Sequence, residues 1–464
     1  MLAHEIAQTG TVLDEQFIAE YTHGIDQFRK VLDATSWDDI LYASGLARDQ
    51  ITEAAEMFMN ADRVITCWAM GITQHKQAVA TIHDIVNLHL LRGQVGKEGA
   101  GFCPVRGHSN VQGDRTMGIW EKLNPKFAAA LEREFNFKPP PKNGFSTVES
   151  IRAMSEGRAK VFFAMGGNFL SATPDTDTVF RALTGCRMTV QVITKLNRTA
   201  IAAGEQSLIL PCLGRSEIDL QASGEQFVST ESTMLDVQMS KGILKPASEH
   251  LRSEPWIIAQ MAKATLDGKT SVDWEAMASD YDKIREVIAR VVPGCENYNE
   301  RVRVPGGFYL ANPPRELQFK TDNGKANFIA TPLELLRTGP DQLLLTTIRS
   351  HNQFNTTIYD NTDRYRGIAG SRRVVFMNTG DIKRFGLEVG QVVDLTSHFD
   401  DGERHAYRFI VVKYPIPVGC AAAYFPEANP LVPLESFADK SMTPTSKSLI
   451  ITIRSSVDEG QALT

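Results

Sequence analysis

Short apolar runs alternate with amphipathic helical segments in the first half of the chain, and this alternation constrains the fold more than any other feature. Residues 63–69 and 159–165 each have the composition of a buried strand, and each is followed by a glycine-containing turn and a helical period. Two further apolar runs, 188–192 and 208–211, continue the pattern, whereas residues 13–60 keep a helical period. Because strands that alternate with helices pair in parallel, the sequence predicts an α/β fold with two doubly wound parallel-sheet units.

The region from Gln342 onward has a different pattern, which is rich in candidate strands. These strands are 343–348, 372–377, 391–397, 407–413, 419–424 and 448–453. Gly386 and Gly390 flank a turn between the second and third of them. Short strands this close together predict a small closed barrel.

The patterns divide the 464 residues into four predicted segments. A first α/β domain spans residues 1–140 and ends in a proline-rich run, and a second α/β unit spans 141–265. Residues 266–340 mix helix signals with proline and glycine pairs, so we predict an irregular crossing segment. The barrel occupies residues 341–464.

The composition excludes two classes of binding surface. A formal net charge of -6 is not that of a protein that binds nucleic acid through a general basic surface. No apolar run reaches the roughly 18 residues of a membrane span, and residues 1–10 lack the basic and apolar regions of a signal peptide. We therefore expect a cytoplasmic protein that binds neither nucleic acid nor a membrane.

The 6 cysteines do not have the spacing of a metal site. The sequence contains no C-x-x-C motif, which argues against a zinc ribbon or a local iron–sulfur cluster. Scattered cysteines in a cytosolic protein are usually reduced, so we expect free thiols.

The segment from Met70 to Met117 carries the densest set of glycines and polar side chains. It begins with a turn at Gly71 between a strand and a helix, where free backbone N–H groups favour an anionic ligand. A simple tight turn is the alternative explanation for Gly71. The later run Pro104 to Asp114, however, holds more polar side chains than a protein core can satisfy, whereas a polar ligand with many hydrogen bonds accounts for them.

These motifs resemble those of the dimethyl sulfoxide reductase superfamily, and most closely the formate-dehydrogenase-like branch of the molybdopterin oxidoreductase alpha subunits. The resemblance covers nearly the whole chain and is most specific in Pro104-Val105-Arg106-Gly107-x-x-Asn110-Val111-Gln112-Gly113. It implies a bis-molybdopterin guanine dinucleotide cofactor that carries molybdenum or tungsten. In this region the implied cofactor contacts are Met70, Gly71, Thr73, Gln74, Gly107, Asn110, Gln112 and Gly113.

The same resemblance implies two catalytic residues. Arg106 corresponds to an active-site arginine, a cation suited to hold a small anionic substrate or to stabilise developing charge. His108 stands where formate dehydrogenases typically have a glutamine. A titratable imidazole therefore replaces a neutral amide, which argues against formate itself as the substrate.

The resemblance also extends to the second unit and the barrel. Asn168 and Thr194 follow candidate strands, where ligands of open α/β sheets bind, although Asn168 has a turn-forming role as its alternative. The C-terminal region resembles the family's double-psi β-barrel, whose loops cradle a pterin. Its candidate contacts are Arg349, His351, Gln353, Thr356, Asn429 and Lys447. A turn at Asn429 and a strand cap at Lys447 are the alternatives there.

Members of the family have a further segment before the position that matches Met1, which carries the metal ligand and, where present, the iron–sulfur cysteines. Neither Cys67 nor Cys103 matches that ligand, so we assign no metal ligand in this chain. We expect an N-terminal segment or a second polypeptide to complete the fold and to supply any 4Fe-4S cluster.

The implied activity is a two-electron oxidation or reduction of a small anionic substrate, with an electron-transfer protein as a further partner. One alternative is a non-catalytic module that binds or carries the molybdopterin dinucleotide. A second alternative is an α/β protein that binds NAD or thiamine diphosphate.

Overall fold

A computed structural model of the protein describes residues 13–266, 268–356 and 358–456. The chain forms two compact units. The first consists of residues 1–105 together with 312–464, and the second consists of residues 106–311. This division differs from the four predicted segments, because residues 106–140 belong to the second unit and residues 312–340 return to the first.

The first unit begins with helices, as the sequence predicts. Their bounds are Glu15–Tyr21, Ile25–Ala34, Trp37–Ser44 and Arg48–Asn60. Asp14 caps the first of these, since its Oδ1 accepts a hydrogen bond of 2.9 Å from the backbone N–H of Phe17. The apolar faces of these helices pack around Phe28, whose ring stacks on Phe328 at 5.5 Å. Residues before 100 and residues near 328 therefore share one core.

A parallel sheet follows, formed by strands Ile65–Trp68 and Gly101–Pro104. Helix Ala78–Leu91 lies between these strands in the sequence, in the predicted strand–turn–helix order. The glycines from residue 93 to residue 101, which follow the helix, all have positive φ angles. At Gly96 a Cβ atom would overlap the Leu317 side chain, so close packing requires a glycine there.

The C-terminal part of the first unit is a closed six-stranded barrel, which confirms the predicted fold. The strands are Leu343–Ile348, Val374–Met377, Val392–Phe399, Gly402–Lys413, Cys420–Tyr424 and Leu449–Ser455. Strand Leu343–Ile348 pairs in parallel with Cys420–Tyr424, and Val374–Met377 pairs in parallel with Gly402–Lys413. Alternate residues such as Leu343, Leu345 and Val375 point into a fully buried interior.

The second unit contains a three-stranded parallel sheet, as predicted from its apolar runs. Its strands are Val161–Met165, Met188–Ile193 and Gln206–Pro211, with Met188–Ile193 in the centre. The helices of this part of the unit are Val111–Thr116, Pro125–Phe135, Thr147–Ser155, Phe169–Ala172 and Thr176–Thr184. The sequence does not predict the antiparallel pair Val228–Glu231 and Asp236–Ser240, because its residues are mostly polar.

Helix Glu254–Leu266 ends the predicted second unit, and the first half of the segment predicted as irregular, 266–340, is also largely helical. Its helices are Trp274–Ser279, Tyr281–Val291 and Tyr298–Val302. Helix Tyr281–Val291 packs against helix Pro125–Phe135, and Arg290 pairs with Glu134 at 2.6 Å. This packing explains why residues 106–140 join the second unit rather than the first.

In the part of the chain that the structure describes, no helix has both the length and the apolar character needed to cross a lipid bilayer.

Candidate functional site

Four residues predicted to contact the cofactor come together in the first unit, although they are far apart in the sequence. Met70 and Gln74 lie on the turn that follows strand Ile65–Trp68. The Arg349 Nη2 atom lies 3.6 Å from the Met70 Sδ atom, and the Lys447 backbone N–H donates to the Gln74 carbonyl oxygen at 3.2 Å. The turn therefore lies against two cations of the barrel loops. We call Arg349 and Lys447 the barrel cation pair.

The barrel cation pair has no acidic partner among the described residues. The Lys447 Nζ atom donates instead to the carbonyl oxygen and hydroxyl of Thr347. Burial, and secondarily the nearby Arg349 charge, lowers the pKa of Lys447 to about 8. Burial also lowers the pKa of Arg349. Two neighbouring, partly desolvated cations without an acidic partner favour the binding of an anion, such as a phosphate.

The turn beside the barrel cation pair is open to a ligand. His75 lies on it, and its Nε2 atom is 2.9 Å from the Gly71 carbonyl oxygen. Burial lowers the pKa of His75, the hydrogen bond to Gly71 opposes this shift, and the charge of Lys447 adds to it. A Cβ atom at Gly71 would meet no atom within 4 Å. Packing within the chain therefore does not require this glycine, whereas close approach of a ligand to the backbone would.

His351, also predicted as a cofactor contact, is exposed on the barrel loop and is held by a buried carboxylate. Its Nδ1 atom lies 3.1 Å from Oδ1 of Asp363, which also accepts hydrogen bonds from Arg366 and Tyr424. Burial raises the pKa of Asp363, but the hydrogen bonds from Tyr424, Arg366 and His351 outweigh it and lower the pKa to about 2. A charged, fully buried carboxylate thus fixes the orientation of the imidazole.

Three other predicted barrel contacts, Gln353, Thr356 and Asn429, are wholly or partly buried beneath this surface. The Gln353 Oε1 atom accepts hydrogen bonds from Ser350 N–H at 3.0 Å and from Arg372 at 2.9 Å, and its Nε2 atom donates to two carbonyl groups. Gln353 therefore holds the loop in shape. Asn429 begins the short helix Asn429–Leu431.

In the second unit, Arg106 and Gln112 are in direct contact. The Arg106 Nη2 atom donates to Gln112 Oε1 at 3.0 Å, and the guanidinium group itself is exposed. His108 and Gly107 are exposed on the same loop, and a Cβ atom at Gly107 would meet nothing within 4 Å. The loop therefore presents a cation and an imidazole next to an open stretch of backbone.

The remaining residues of this motif shape the loop. The Asn110 Oδ1 atom accepts a hydrogen bond of 2.9 Å from the backbone N–H of Glu231. Gly113 is buried, and a Cβ atom there would overlap the Asn110 side chain. Asn110 therefore requires a glycine at position 113, because a larger residue there would overlap its side chain.

Glu231 is a buried acid that the sequence analysis does not identify. Only 3% of the residue is exposed, and neither carboxyl oxygen has a hydrogen-bond partner among the described residues. Burial raises the pKa of Glu231, and the side chains of Thr116 and Gln112 partly oppose this shift. The acid therefore lies close to the residue that holds Arg106. A glutamate in a polar stretch carries no sequence signal of such burial.

Asn168 and Thr194 lie near the carboxyl ends of neighbouring parallel strands of the second unit, as predicted. Thr194 is exposed, whereas Asn168 is buried and its Oδ1 atom accepts a hydrogen bond of 3.0 Å from Thr199. Gly166 and Gly167 precede Asn168 with positive φ angles. The edge of this sheet thus has the open backbone and polar groups that dinucleotides bind in such folds.

No group of three or more His, Cys, Asp or Glu residues is arranged to hold a metal ion within the described ranges. Within the first unit the predicted site residues lie on the Gly71 turn and the barrel loops, and within the second unit they lie on the Arg106 loop and at the sheet edge.

Comparison with known proteins assigns the chain to a family. Residues 37–254 match the family model of molybdopterin oxidoreductases, and residues 343–450 match that of the molydopterin dinucleotide binding domain. The chain therefore belongs to the molybdopterin oxidoreductase family.

Among its relatives, an uncharacterized oxidoreductase of Mycobacterium tuberculosis is 51% identical over 457 residues, which are 97% of this chain and 59% of the relative. The F420-dependent formate dehydrogenase subunit alpha of Methanocaldococcus jannaschii is 25% identical over 91% of this chain and 62% of its own length. The chain thus spans about three fifths of the length of these relatives.

A solved structure supports the fold. Acetylene hydratase from Pelobacter acetylenicus superposes with a TM-score of 0.67 at 14% identity, and the match covers 98% of this chain and 69% of the hydratase chain. At this level of identity the likeness shows the fold alone.

Proposed function

We propose that the chain is the cofactor-binding part of a formate-dehydrogenase-like molybdopterin oxidoreductase, which oxidises or reduces a small anionic substrate in a two-electron step. The barrel cation pair carries this proposal, because Arg349 and Lys447 are desolvated next to the Gly71 turn and have no acidic partner among the described residues. A phosphate-bearing dinucleotide supplies the missing negative charge. The match of residues 343–450 to a dinucleotide-binding domain supports the same assignment.

The residues present fit a bis-molybdopterin guanine dinucleotide. In the first unit we assign Met70, Gly71, Thr73, Gln74, Arg349, His351 and Lys447 to its binding, with Gln353, Thr356 and Asn429 in the underlying loops. In the second unit we assign Gly107, Asn110, Gln112, Gly113, Asn168 and Thr194. The open backbone at Gly71 and Gly107 supports this fit, since a Cβ atom would occupy free space there.

The bound cofactor, with its molybdenum or tungsten, supplies the two-electron chemistry. The chain's own residues bind and orient the substrate. The Arg106 guanidinium attracts the anionic substrate, and Gln112 restrains the guanidinium through its 3.0 Å hydrogen bond. His108 places an imidazole in the same loop, which can hold or release a proton as an amide cannot.

We further propose that a segment or second polypeptide completes the enzyme, carries any metal ligand and 4Fe-4S cluster, and passes electrons to a redox partner. The greater length of the curated relatives supports this proposal. The cytoplasm remains the predicted location.

The test of cofactor binding is elemental analysis of the purified full-length protein for molybdenum and tungsten, together with detection of guanine nucleotide released on denaturation. We expect both in the wild type and a loss of nucleotide in Lys447→Met and Arg349→Met variants. Lys383→Met, an exposed substitution in the same barrel, serves as the matched control. NAD or thiamine diphosphate in place of the guanine nucleotide would contradict the proposal. Nucleotide without any metal-dependent turnover would instead identify a carrier module.

The test of the substrate role is Arg106→Ala in the metal-loaded enzyme. Loss of a charge-stabilising donor lowers kcat/KM on the order of 100-fold. Arg133→Ala, at an exposed position of helix Pro125–Phe135, is expected to leave kcat/KM unchanged. An unchanged kcat/KM in Arg106→Ala would remove Arg106 from the active site.

A further inference from the structure

Two cysteines that are distant in sequence are direct neighbours in the first unit. Cys67 lies on strand Ile65–Trp68 and Cys103 on strand Gly101–Pro104, and the two residues are paired in register. Register partners in a parallel sheet direct their side chains to the same face. Both thiols are free. Together they form a dithiol on one face of this sheet.

The face that carries the dithiol is accessible. Cys67 is exposed and Cys103 is half-buried, and the flanking Ile65 is 51% exposed. The opposite face is covered, because the Phe102 ring contacts the His89 ring of helix Ala78–Leu91 at 4.6 Å. A small reagent in solution can therefore reach the dithiol face of the isolated chain.

The spacing of the strands permits a covalent bond between the two sulfurs. Neighbouring strands lie about 4.8 Å apart, and disulfides join residues whose Cα atoms are roughly 4.4 to 6.8 Å apart. The thiols also influence each other: burial raises the pKa of Cys103, and the Cys67 thiol raises it further. Cys67, which is the more exposed of the two, is therefore the thiol that reacts first.

We propose that Cys67 and Cys103 form an oxidisable dithiol site, which a low-molecular-weight disulfide converts to an intramolecular disulfide. The Cys67 thiolate attacks one sulfur of the reagent RSSR, which gives a mixed disulfide and releases one RSH. The Cys103 thiolate then attacks the Cys67 sulfur and displaces the second RSH. Two protein thiols are oxidised and one disulfide reagent is reduced to two thiols. An exposed disulfide of this kind is readily reduced again, so the modification is reversible.

The consequence of the bond is local to the sheet. Cys67 lies just before the Met70–Gln74 turn, so the disulfide ties the start of that turn to the neighbouring strand. Oxidation therefore restrains the backbone that leads to the barrel cation pair. The proposal does not depend on the identity of the cofactor.

The test is treatment of the full chain with oxidised glutathione, followed by alkylation and peptide mapping by mass spectrometry. We expect a peptide pair linked through Cys67 and Cys103, the loss of two alkylatable thiols, and recovery of both with dithiothreitol. In Cys103→Ser, a glutathione adduct is expected to accumulate on Cys67, because no second thiol resolves it. Cys420→Ser removes a half-buried thiol of the barrel and is expected to leave the linked peptide pair unchanged.

Two outcomes would overturn the proposal. One is a wild-type chain in which Cys67 and Cys103 each carry a separate glutathione adduct. The other is a wild-type chain in which both thiols stay alkylatable at oxidant concentrations that modify unfolded protein. Because both outcomes are read from the wild-type chain, a folding defect in a variant cannot produce them.

Discussion

The barrel contains partly or fully desolvated cations of two kinds, which differ in whether an acidic side chain pairs with them. Arg372 is 4% exposed and donates to Glu427 at 2.8 Å, to Ser350 at 2.8 Å and to the carbonyl oxygen of Phe425 at 2.9 Å. The barrel cation pair, Arg349 and Lys447, is partly desolvated, yet it has no acidic partner among the described residues. The charge of Arg372 is balanced by an acidic side chain of the chain, whereas the charges of Arg349 and Lys447 are not.

This difference has an energetic meaning. A buried charge without a counter-charge destabilises the folded chain, because it loses hydration and gains little in return. Such an arrangement is retained where a ligand supplies the opposite charge. The paired arginine therefore stabilises the barrel loops, whereas the unpaired cations lower the stability of the free chain, and an anion bound to them would raise it.

The largest expected effect is the loss of the paired cation. Arg372→Met leaves the partly buried Glu427 without its cation and removes the support of Gln353, so we expect a loss of about 3 kcal/mol in the free energy of unfolding. Hydrogen exchange of residues 343–455 measures this locally. The neighbouring Arg373 is exposed, and Arg373→Met is expected to change the exchange little. Equal effects of the two substitutions would mean that the Arg372 contacts do not stabilise the loops.

Removal of an unpaired cation is expected to act in the opposite direction. Because folding lowers the pKa of Lys447 from 10.5 to about 8, the protonated side chain destabilises the fold below pH 8, and this cost disappears as the pH rises to 10.5. We therefore expect Lys447→Met to stabilise the cofactor-free chain at pH 7 by about 1–3 kcal/mol. The difference from the wild type should vanish above pH 10.5. A loss of stability at pH 7 would indicate that the Thr347 contacts outweigh the desolvation of the ammonium.

Asp363, the carboxylate that orients His351, is also expected to contribute to stability through its charge. Folding lowers the pKa of Asp363 from 3.8 to about 2, so its contribution is present above pH 3.8 and is lost as the pH falls through 2. We expect Asp363→Asn to lower the free energy of unfolding by about 2 kcal/mol at pH 7. Acid titration of the hydrogen exchange should bring the wild type and the variant together near pH 2. The exposed Asp341→Asn substitution provides the baseline. A difference in stability between the wild type and Asp363→Asn that persists at pH 2 would mean that the effect comes from side-chain packing rather than from charge.

The two cation regions also show what the sequence can and cannot predict. The barrel strands follow from alternating apolar residues, and the predicted and observed strand 343–348 have the same bounds, because a two-residue period is a local property. The contact between Lys447 and Gln74 joins residues that are far apart in the sequence. Only the family resemblance, and no local pattern, predicts that both residues contact the cofactor. No pattern indicates that Arg372 is paired and Arg349 is not, since both are arginines next to polar residues.

The segments that were predicted least well depend on packing between distant elements. Prolines and glycines occur within and just after residues 274–302, and they favour irregular structure. Asp273 and Asp280 nevertheless cap two helices there. Helix Tyr281–Val291 is further stabilised by contacts with helix Pro125–Phe135, which lies far away in the sequence. For the same reason, the burial of Glu231 follows from the strand pair on which it lies and not from its neighbours in sequence.

The smallest effect on stability is expected for a buried acid, Glu231, rather than for a cation. Glu231 is buried without a hydrogen-bond partner for its carboxyl group among the described residues, and burial raises its pKa above 4.5. Its neutral form is therefore favoured by folding, and the stability associated with that form is lost as the pH rises through the folded pKa. We expect Glu231→Gln to remove this pH dependence and to stabilise the second unit at neutral pH, on the order of 1 kcal/mol.

The measurement is urea unfolding of the second unit between pH 4 and pH 8, followed by hydrogen exchange in strand Val228–Glu231. Glu132→Gln, an exposed substitution in the same unit, controls for the loss of one negative charge. If the pH profiles of the wild type and Glu231→Gln coincide, Glu231 is already neutralised by a group that does not titrate in this range. The rule that unpaired buried charges reduce stability would then hold for the cations of the barrel and not for this acid.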